Sequence, residues 1–507
     1  MRILFATSEA HPLIKTGGLA DVSGALPAAL HQLGHQVEIL IPAYPAVLDK
    51  LADAKKVCTL HHLPMVGEVE LWRGTMPDSG VPVLALRHEA LYQRAGNPYL
   101  DSQGHDWQDN PLRFATLAHV AAILACEDSP LPEHFDIVHC NDWQTGLTPP
   151  YLYYKRSQRT NLKCAKSLMS VHNLAFQGNY SPSWLTQLGL PQQAFHLNGV
   201  EFYGQFSFLK AGLFYADKLS TVSPSYAAEI QTDDFGFGMQ GLLQSRKQDL
   251  VGILNGLDTQ AWDPATDPYL PAHYSAKQLD GKQQVKLALQ NSMGLAEEAG
   301  TALLGVVSRL THQKGLDMLL EIADEVLQQH AIQLVVLGSG EATMQQGFID
   351  LASRYPGRVA CQIGYDEGLS HRIMAGCDLF IMPSRFEPCG LNQMYGLRYG
   401  TPPLVNRTGG LADSVIDSNQ ESIASKQANG FVMHRAEPDE LKMCITRALS
   451  YYAQEKLWQQ IQRQGMSQEL GWELSAKRYL ELYEEMLKPQ KRESKEVSSK
   501  VGTVSAN

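Results

Sequence analysis

The residues able to do chemistry sit in short polar motifs that follow apolar runs. Arg309 comes just after the run Leu303–Ser308, in VSRLTHQKG, and Lys314 follows where a helix opens. Two cations so placed can straddle a diphosphate, although one surface cation plus one helix-flanking lysine gives the same spacing. Glu387, in FEPCGL, follows the apolar run ending at Met382 and precedes a helix. A carboxylate beside the backbone N–H groups near Cys389 and Gly390 suits a sugar with several hydroxyls, with helix capping as the competing use. Asp142 (HCNDWQ) and His172 (SVHN) end two further runs. A lone histidine in that setting is more often a hydrogen-bonded structural residue than a catalyst. Asn255, in an Asn-Gly turn, and Tyr365, an aromatic of ordinary half-buried type, are open in the same way, as is the Tyr151-Leu152-Tyr153-Tyr154 run.

Lys15-Thr16-Gly17-Gly18 opens a helix, where glycine lets backbone N–H groups approach an anion and the helix dipole favours negative charge. The six letters Thr16–Asp21 recur as Thr408–Asp413, again after an apolar run and again behind a cation, Arg407. Two matching glycine loops suggest a ligand held between two similar units, against the plainer reading that glycines close two tight turns. Neither loop has the Walker spacing, and after Gly338-Ser339-Gly340 the third position of a dinucleotide fingerprint is Thr343. No metal-ligand motif emerges, so Lys15, Arg309, Lys314 and the glycine loops are left to neutralise a leaving diphosphate.

These motifs need a scaffold of parallel strands with crossover helices. The spacing predicts strands at Ile3–Thr7, Val37–Ile41, Asp136–Cys140, Ser167–His172 and Lys218–Val222, with hairpin strands inserted near 57–63, 68–74 and 81–86. A Pro- and Asp-rich boundary spans 258–300, and a second strand–helix alternation begins at Leu303. The expected division is 1–250, 251–466, a helical segment 467–487, and a polar, aperiodic tail 488–507 read as disordered.

Composition sets the outer limits. The chain has 507 residues, 44% apolar and 19% charged, enough for two or three buried cores. A formal net charge of −11 disfavours a nucleic-acid partner, since phosphate backbones call for a basic face. Eight scattered cysteines without a C-x-x-C pair argue against a disulfide framework. No signal peptide or membrane-length apolar segment is visible, so the expectation is a reduced, cytoplasmic protein with no membrane partner.

KTGGLADV (15–22), NDWQTGL (141–147), VHNLAFQG (171–178), SRLTHQKGLD (308–317), SRFEPCGLNQMYGL (384–397) and RTGGLAD (407–413) together resemble bacterial glycogen synthases, over residues 1–487. The resemblance implies the α/β GT-B fold, two Rossmann-like doubly wound domains facing across a deep cleft, with the last helix crossing back to the first domain. It implies transfer of glucose from ADP-glucose, a substrate rather than a cofactor, to the non-reducing end of an α-1,4-glucan such as glycogen, with retention and without a metal. By the same resemblance Lys15, Gly17 and Gly18 contact the donor near Asp21, while Arg309 and Lys314 clamp the diphosphate. Tyr365 stacks on the base, and Glu387 with the amides around Cys389 and Gly390 holds the glucose hydroxyls. His172 and Asp142 flank the glucose, and Asn255 completes the pocket. Retention with no nucleophile on the far face implies a front-face path in which the departing ADP oxygen helps to take the acceptor's proton.

Two departures stand out. The family pattern His-Asp-Trp-His is here Asn141-Asp142-Trp143-Gln144, and the second glutamate of the wider E-x₇-E pattern is Tyr395, as expected for the bacterial branch. A UDP-glucose enzyme, a binding protein without catalysis and a sugar-nucleotide epimerase are the competing readings.

Overall fold

Ile3-Leu4-Phe5-Ala6 is apolar at every position, the pattern of a strand covered on both faces, and it lies at the middle of a nine-stranded sheet. The computed structural model describes residues 1–489, and the polar tail expected at 488–507 lies almost wholly outside them. In chain order the first domain holds β1 (Arg2–Ala6), β2 (Gln36–Pro42), β3 (Ala52–Leu63), β4 (Gly67–Thr75), β5 (Pro82–Arg87), β6 (Ile137–Asn141) and β7 (Lys166–Val171). It continues with a small sheet of β8 (Asn179–Tyr180), β9 (Glu201–Phe202) and β10 (Gln205–Ser207), then β11 (Lys218–Thr221) and β12 (Leu250–Gly252). The main sheet runs β12-β11-β7-β6-β1-β2-β5-β4-β3. It is parallel from β12 to β5, and β3–β4 is the inserted antiparallel hairpin.

The second domain has β13 (Ala302–Val307), β14 (Ile332–Gly338), β15 (Val359–Ile363), β16 (Leu379–Met382), β17 (Pro403–Asn406) and β18 (Phe431–Met433), in the order β15-β14-β13-β16-β17-β18, all parallel. Each sheet reverses its winding once, between β1 and β6 and between β13 and β16. Open α/β sheets bind ligands at the carboxyl ends of the strands flanking such a reversal. Lys15, Asp142, Arg309 and Glu387 all lie in loops leaving those four strands.

The expected boundary at 250 moves slightly, because β12 pairs with β11 and belongs to the first sheet. The chain leaves the first domain after Gly252 and returns beside its own exit. Leu257 N–H donates to the Leu470 carbonyl at 2.7 Å, and a Cβ on Gly256 would stand 2.5 Å from Trp472 Cα. Helix Trp472–Leu487 then packs Tyr479, Leu482 and Tyr483 against Ile3, Phe5, Leu26 and Leu30, and the Tyr483 hydroxyl lies 2.7 Å from His139 Nδ1.

One expectation is overturned. Cys126 and Cys164 form a disulfide, 38 residues apart, where two chain segments run antiparallel with Glu127 and Ala165 N–H groups bonded across to Lys163 and Ala125. The partners meet only through the fold, so spacing along the chain could not reveal the pair. Among the described residues no helix is long and apolar enough to cross a membrane.

Candidate active site

Lys314 and Glu387 form the buried ionic centre. Their side chains are only 14% and 10% exposed, and Lys314 Nζ lies 2.5 Å from Glu387 Oε2. Ser384 Oγ donates to the same oxygen at 3.0 Å. Glu387 stands well ahead of helix Asn392–Arg398 and spends its carboxylate on these partners, so the capping reading falls. Backbone contacts bring the two loops together. Gly315, at φ +69°, would put a Cβ 2.2 Å from the Pro383 carbonyl, so only glycine allows the approach. Arg385 N–H donates to Gln313 O at 2.9 Å, and its guanidinium holds both oxygens of Asp317 at 2.7 Å. Sequence reasoning passed over this Arg385–Asp317 staple; its signal was the arginine two residues before Glu387 and the aspartate three after Lys314.

Arg309 is exposed at the end of β13 and makes no ion pair among the described residues. Gly338 and Gly340 place their backbone against Ser308 and Leu310, where a Cβ would come within 1.9 and 2.2 Å of the carbonyls. Those glycines shape Arg309's loop rather than a dinucleotide site. Tyr365 is 76% exposed, its ring free for stacking. Asn255 reaches across from the crossover to Cys389, and burial pushes the Cys389 thiol up to about 12, so it stays protonated. Asn255 Oδ1 is buried without a hydrogen-bond partner among the described residues.

On the facing domain Asp142 and His172 are joined: Asp142 Oδ1 accepts the His172 backbone N–H at 2.7 Å. Asp142 sits at φ +54°, a left-handed conformation that a non-glycine residue adopts at a cost. Burial, opposed by the His172 and Asn173 backbone N–H groups, lifts its carboxyl to about 7. Burial also lowers His172 to about 4, leaving a neutral ring. Asn141 fixes which nitrogen of that ring is protonated. Its Nδ2 donates to the Ala6 carbonyl at 3.0 Å, which turns Oδ1 towards His172 Nε2 at 3.0 Å. An amide oxygen only accepts, so Nε2 carries the proton and Nδ1 keeps its lone pair. Nδ1 is buried with no hydrogen-bond partner among the described residues.

Lys15 pairs with Asp21 at 2.7 Å on the exposed first turn of helix Gly18–Gln32. The Thr16 hydroxyl and backbone N–H donate to Glu9, and the Gly17 N–H reaches the same carboxylate at 3.3 Å. The Gly17 amide is therefore already bonded. Glu9, buried and also bonded by the Tyr99 hydroxyl at 2.8 Å, was visible in the sequence only as a charge interrupting an apolar run. The second copy departs further from the expected ligand cradle. A Cβ on Gly409 or Gly410 would lie 1.9 Å from Glu387 O or 2.1 Å from Cys389 O, so these glycines wedge behind the Glu387 loop. Tyr395, at the second E-x₇-E position, lies flat on Trp262 at 3.8 Å, and Trp262 lies flat on His371 at 3.7 Å. Tyr151 hydrogen-bonds Leu188 O and is core, while Tyr153 is exposed.

Two Rossmann-like domains, each directing polar strand ends into a shared cleft, define a GT-B glycosyltransferase. The models for the starch synthase catalytic domain and for glycosyl transferases group 1 match residues 2–245 and 291–465. A glycogen synthase of Nitrosomonas eutropha is 49% identical over 486 residues, covering 95% of this chain and 96% of its own. One of Dechloromonas aromatica is 50% identical over 491 residues, covering 96% and 99%. The catalytic domain of Arabidopsis thaliana starch synthase IV, solved with ADP and acarbose, superposes with a TM-score of 0.84 at 34% identity, covering 96% of this chain and 99% of that one. The chain belongs to the glycogen synthase family, enzymes that transfer glucosyl units to a glucan.

Proposed function

We propose that this chain elongates α-1,4-glucan by transferring glucose from ADP-glucose to the non-reducing end, with retention, in the cytoplasm. The observation that carries this reading is the buried Lys314–Glu387 pair, with exposed Arg309 in the loop that carries Lys314. An ammonium has three N–H donors, and Lys314 spends one on Glu387, leaving others for diphosphate oxygens. Arg309 adds a planar fork from the rim, and Lys15 a mobile charge from the opposite wall. Glu387 and the His172 Nδ1 lone pair are acceptors for sugar hydroxyls. Negative charge grows on the departing diphosphate as the anomeric C–O bond breaks, and these cations meet it. The acceptor hydroxyl then attacks the face the diphosphate leaves, and its proton passes to a departing phosphate oxygen. The solved starch synthase holding ADP supports an adenine nucleotide, with Tyr365 stacking on the base.

The test is nucleoside diphosphate release by the purified chain with glycogen, from ADP-glucose and from UDP-glucose, each with and without EDTA. ADP release that requires glycogen and withstands EDTA, with an α-configured new linkage by proton NMR, is the expected result. Preference for UDP-glucose moves the donor, and a β-linkage overturns retention.

A further inference from the structure

The two Thr-Gly-Gly-Leu-Ala-Asp segments make the same hydrogen bonds to different parts of the molecule. The first gives its threonine hydroxyl and glycine N–H to Glu9, in its own domain. The second gives them to Glu229, the last residue of helix Pro224–Glu229 in the other domain: Thr408 Oγ1 at 3.0 Å and Gly409 N–H at 2.8 Å meet one oxygen. The same short helix donates from Ser225 N–H and Oγ to Asp413 at 2.8 and 2.7 Å. Ser223 Oγ donates to the Pro388 carbonyl at 2.7 Å. Gly409 in turn presses on the Glu387 backbone, and Gly410 N–H donates to the carbonyls of Glu387 and Pro388 at 3.2 and 3.1 Å. An unbroken line of contacts therefore runs from Glu229 through Thr408–Gly409 to Glu387 and Lys314.

Glu229 is held at some expense. Its other oxygen, Oε2, is buried with no hydrogen-bond partner among the described residues, and a carboxylate half satisfied in that way costs stability. Local rules broken without a packing gain mark functional positions.

We propose that Glu229 is a positioning residue for glucosyl transfer: a latch from the first domain that sets the Glu387 loop of the second, so that the donor site is complete only when the two domains are together. The inference rests on the ADP-glucose reading for its turnover assay, and binding of ADP alone separates the two.

Glu229→Ala is expected to lower kcat and raise the ADP-glucose KM, each roughly tenfold, with glycogen KM and thermal midpoint held near wild type. Glu229→Gln keeps an oxygen that accepts both hydrogen bonds and should return to within about threefold of wild type. Thr408→Val, which removes only one hydroxyl, should act through the same contact, so the double variant with Glu229→Ala should be no worse than Glu229→Ala. Calorimetry should show ADP bound roughly tenfold more weakly by Glu229→Ala, whether or not ADP-glucose is turned over. Equal ADP affinity in wild type and Glu229→Ala, a Gln variant as impaired as Ala, or multiplying effects of the Glu229 and Thr408 changes would each overturn the latch. If Glu229→Ala does not fold, Thr408→Val read by ADP calorimetry decides: unchanged affinity overturns it.

Discussion

The two walls of the cleft hold their polar groups by opposite means. On the second domain the working groups are ionic: Lys314 against Glu387, Arg309 exposed, with the Arg385–Asp317 pair fastening the loops. On the first domain, the exposed Lys15 apart, they are held by burial and hydrogen bonds: His172 kept uncharged by burial, Asp142 lifted to about 7, and Asn141 setting the ring's proton. On the proposed reading the difference matches the two halves of a nucleotide sugar, with Glu387 the one group of the ionic wall that serves the sugar. A diphosphate changes charge during transfer and needs cations that stay charged, whereas sugar hydroxyls need donors and acceptors of fixed direction without a field that competes with the leaving group.

The sharpest way to break this contrast is to remove the ionic wall. Lys314→Ala should lower kcat roughly 10²-fold or more, since it takes away a preorganised cation and leaves Glu387 buried without its partner. Arg309→Ala should cost less, roughly tenfold, because an exposed guanidinium is screened, and its loss should reduce the salt sensitivity of the donor KM. Steady-state kinetics at two ionic strengths measure both. Wild-type kcat in a folded Lys314→Ala enzyme would remove the diphosphate clamp from the second domain.

The neutral wall is tested by pH. Asp142 titrates near 7 in the fold against an ordinary 3.8, so between those values the native chain holds a proton the unfolded chain has lost. Its contribution to stability therefore falls as pH rises through that window. His172, near 4 against an ordinary 6.5, does the reverse: the unfolded chain holds the extra proton, and stability rises with pH between 4 and 6.5. The slopes cancel where the windows overlap. Asp142→Asn keeps an oxygen for the His172 N–H and removes one of the two. It should gain stability relative to wild type by up to about 1.4 kcal/mol per pH unit between 4 and 7. Urea unfolding at pH 5 and 7 checks this, and a difference that does not change with pH would mean Asp142 is ionised in the fold.

What could be read from the sequence follows from where the information lies. Apolar runs ending in polar letters gave the parallel strands and put Arg309, Glu387, Asp142 and His172 at strand ends and Lys314 at a helix start, because strand, loop and helix are local patterns. Pairings between distant segments were hidden, since Glu229 meets Thr408 and Cys126 meets Cys164 only through the fold. The glycine echo was legible as letters but not as use. One copy opens a helix beside Glu9, while the other is a wedge behind Glu387. Asn141 was visible only as a departure from a pattern, and its geometry supplies the meaning.

Asn141 gives the smallest expected effect and the finest view of the neutral wall. An asparagine here donates to Ala6 O and accepts from His172 Nε2–H at once. Leucine can do neither, so in Asn141→Leu the His172 ring is free to place its proton on Nδ1, and that nitrogen changes from an acceptor to a donor. The expected loss in kcat/KM is roughly tenfold or less, the worth of one misdirected hydrogen bond, with no change in the salt dependence that reports on Arg309. Nitrogen-15 shifts of the imidazole distinguish the two tautomers directly. A kinetic loss with the Nε2–H form intact would assign the effect to packing beside β6. Asn141→His, restoring the more common residue of the motif, should recover activity only if its own ring presents an unprotonated nitrogen to His172.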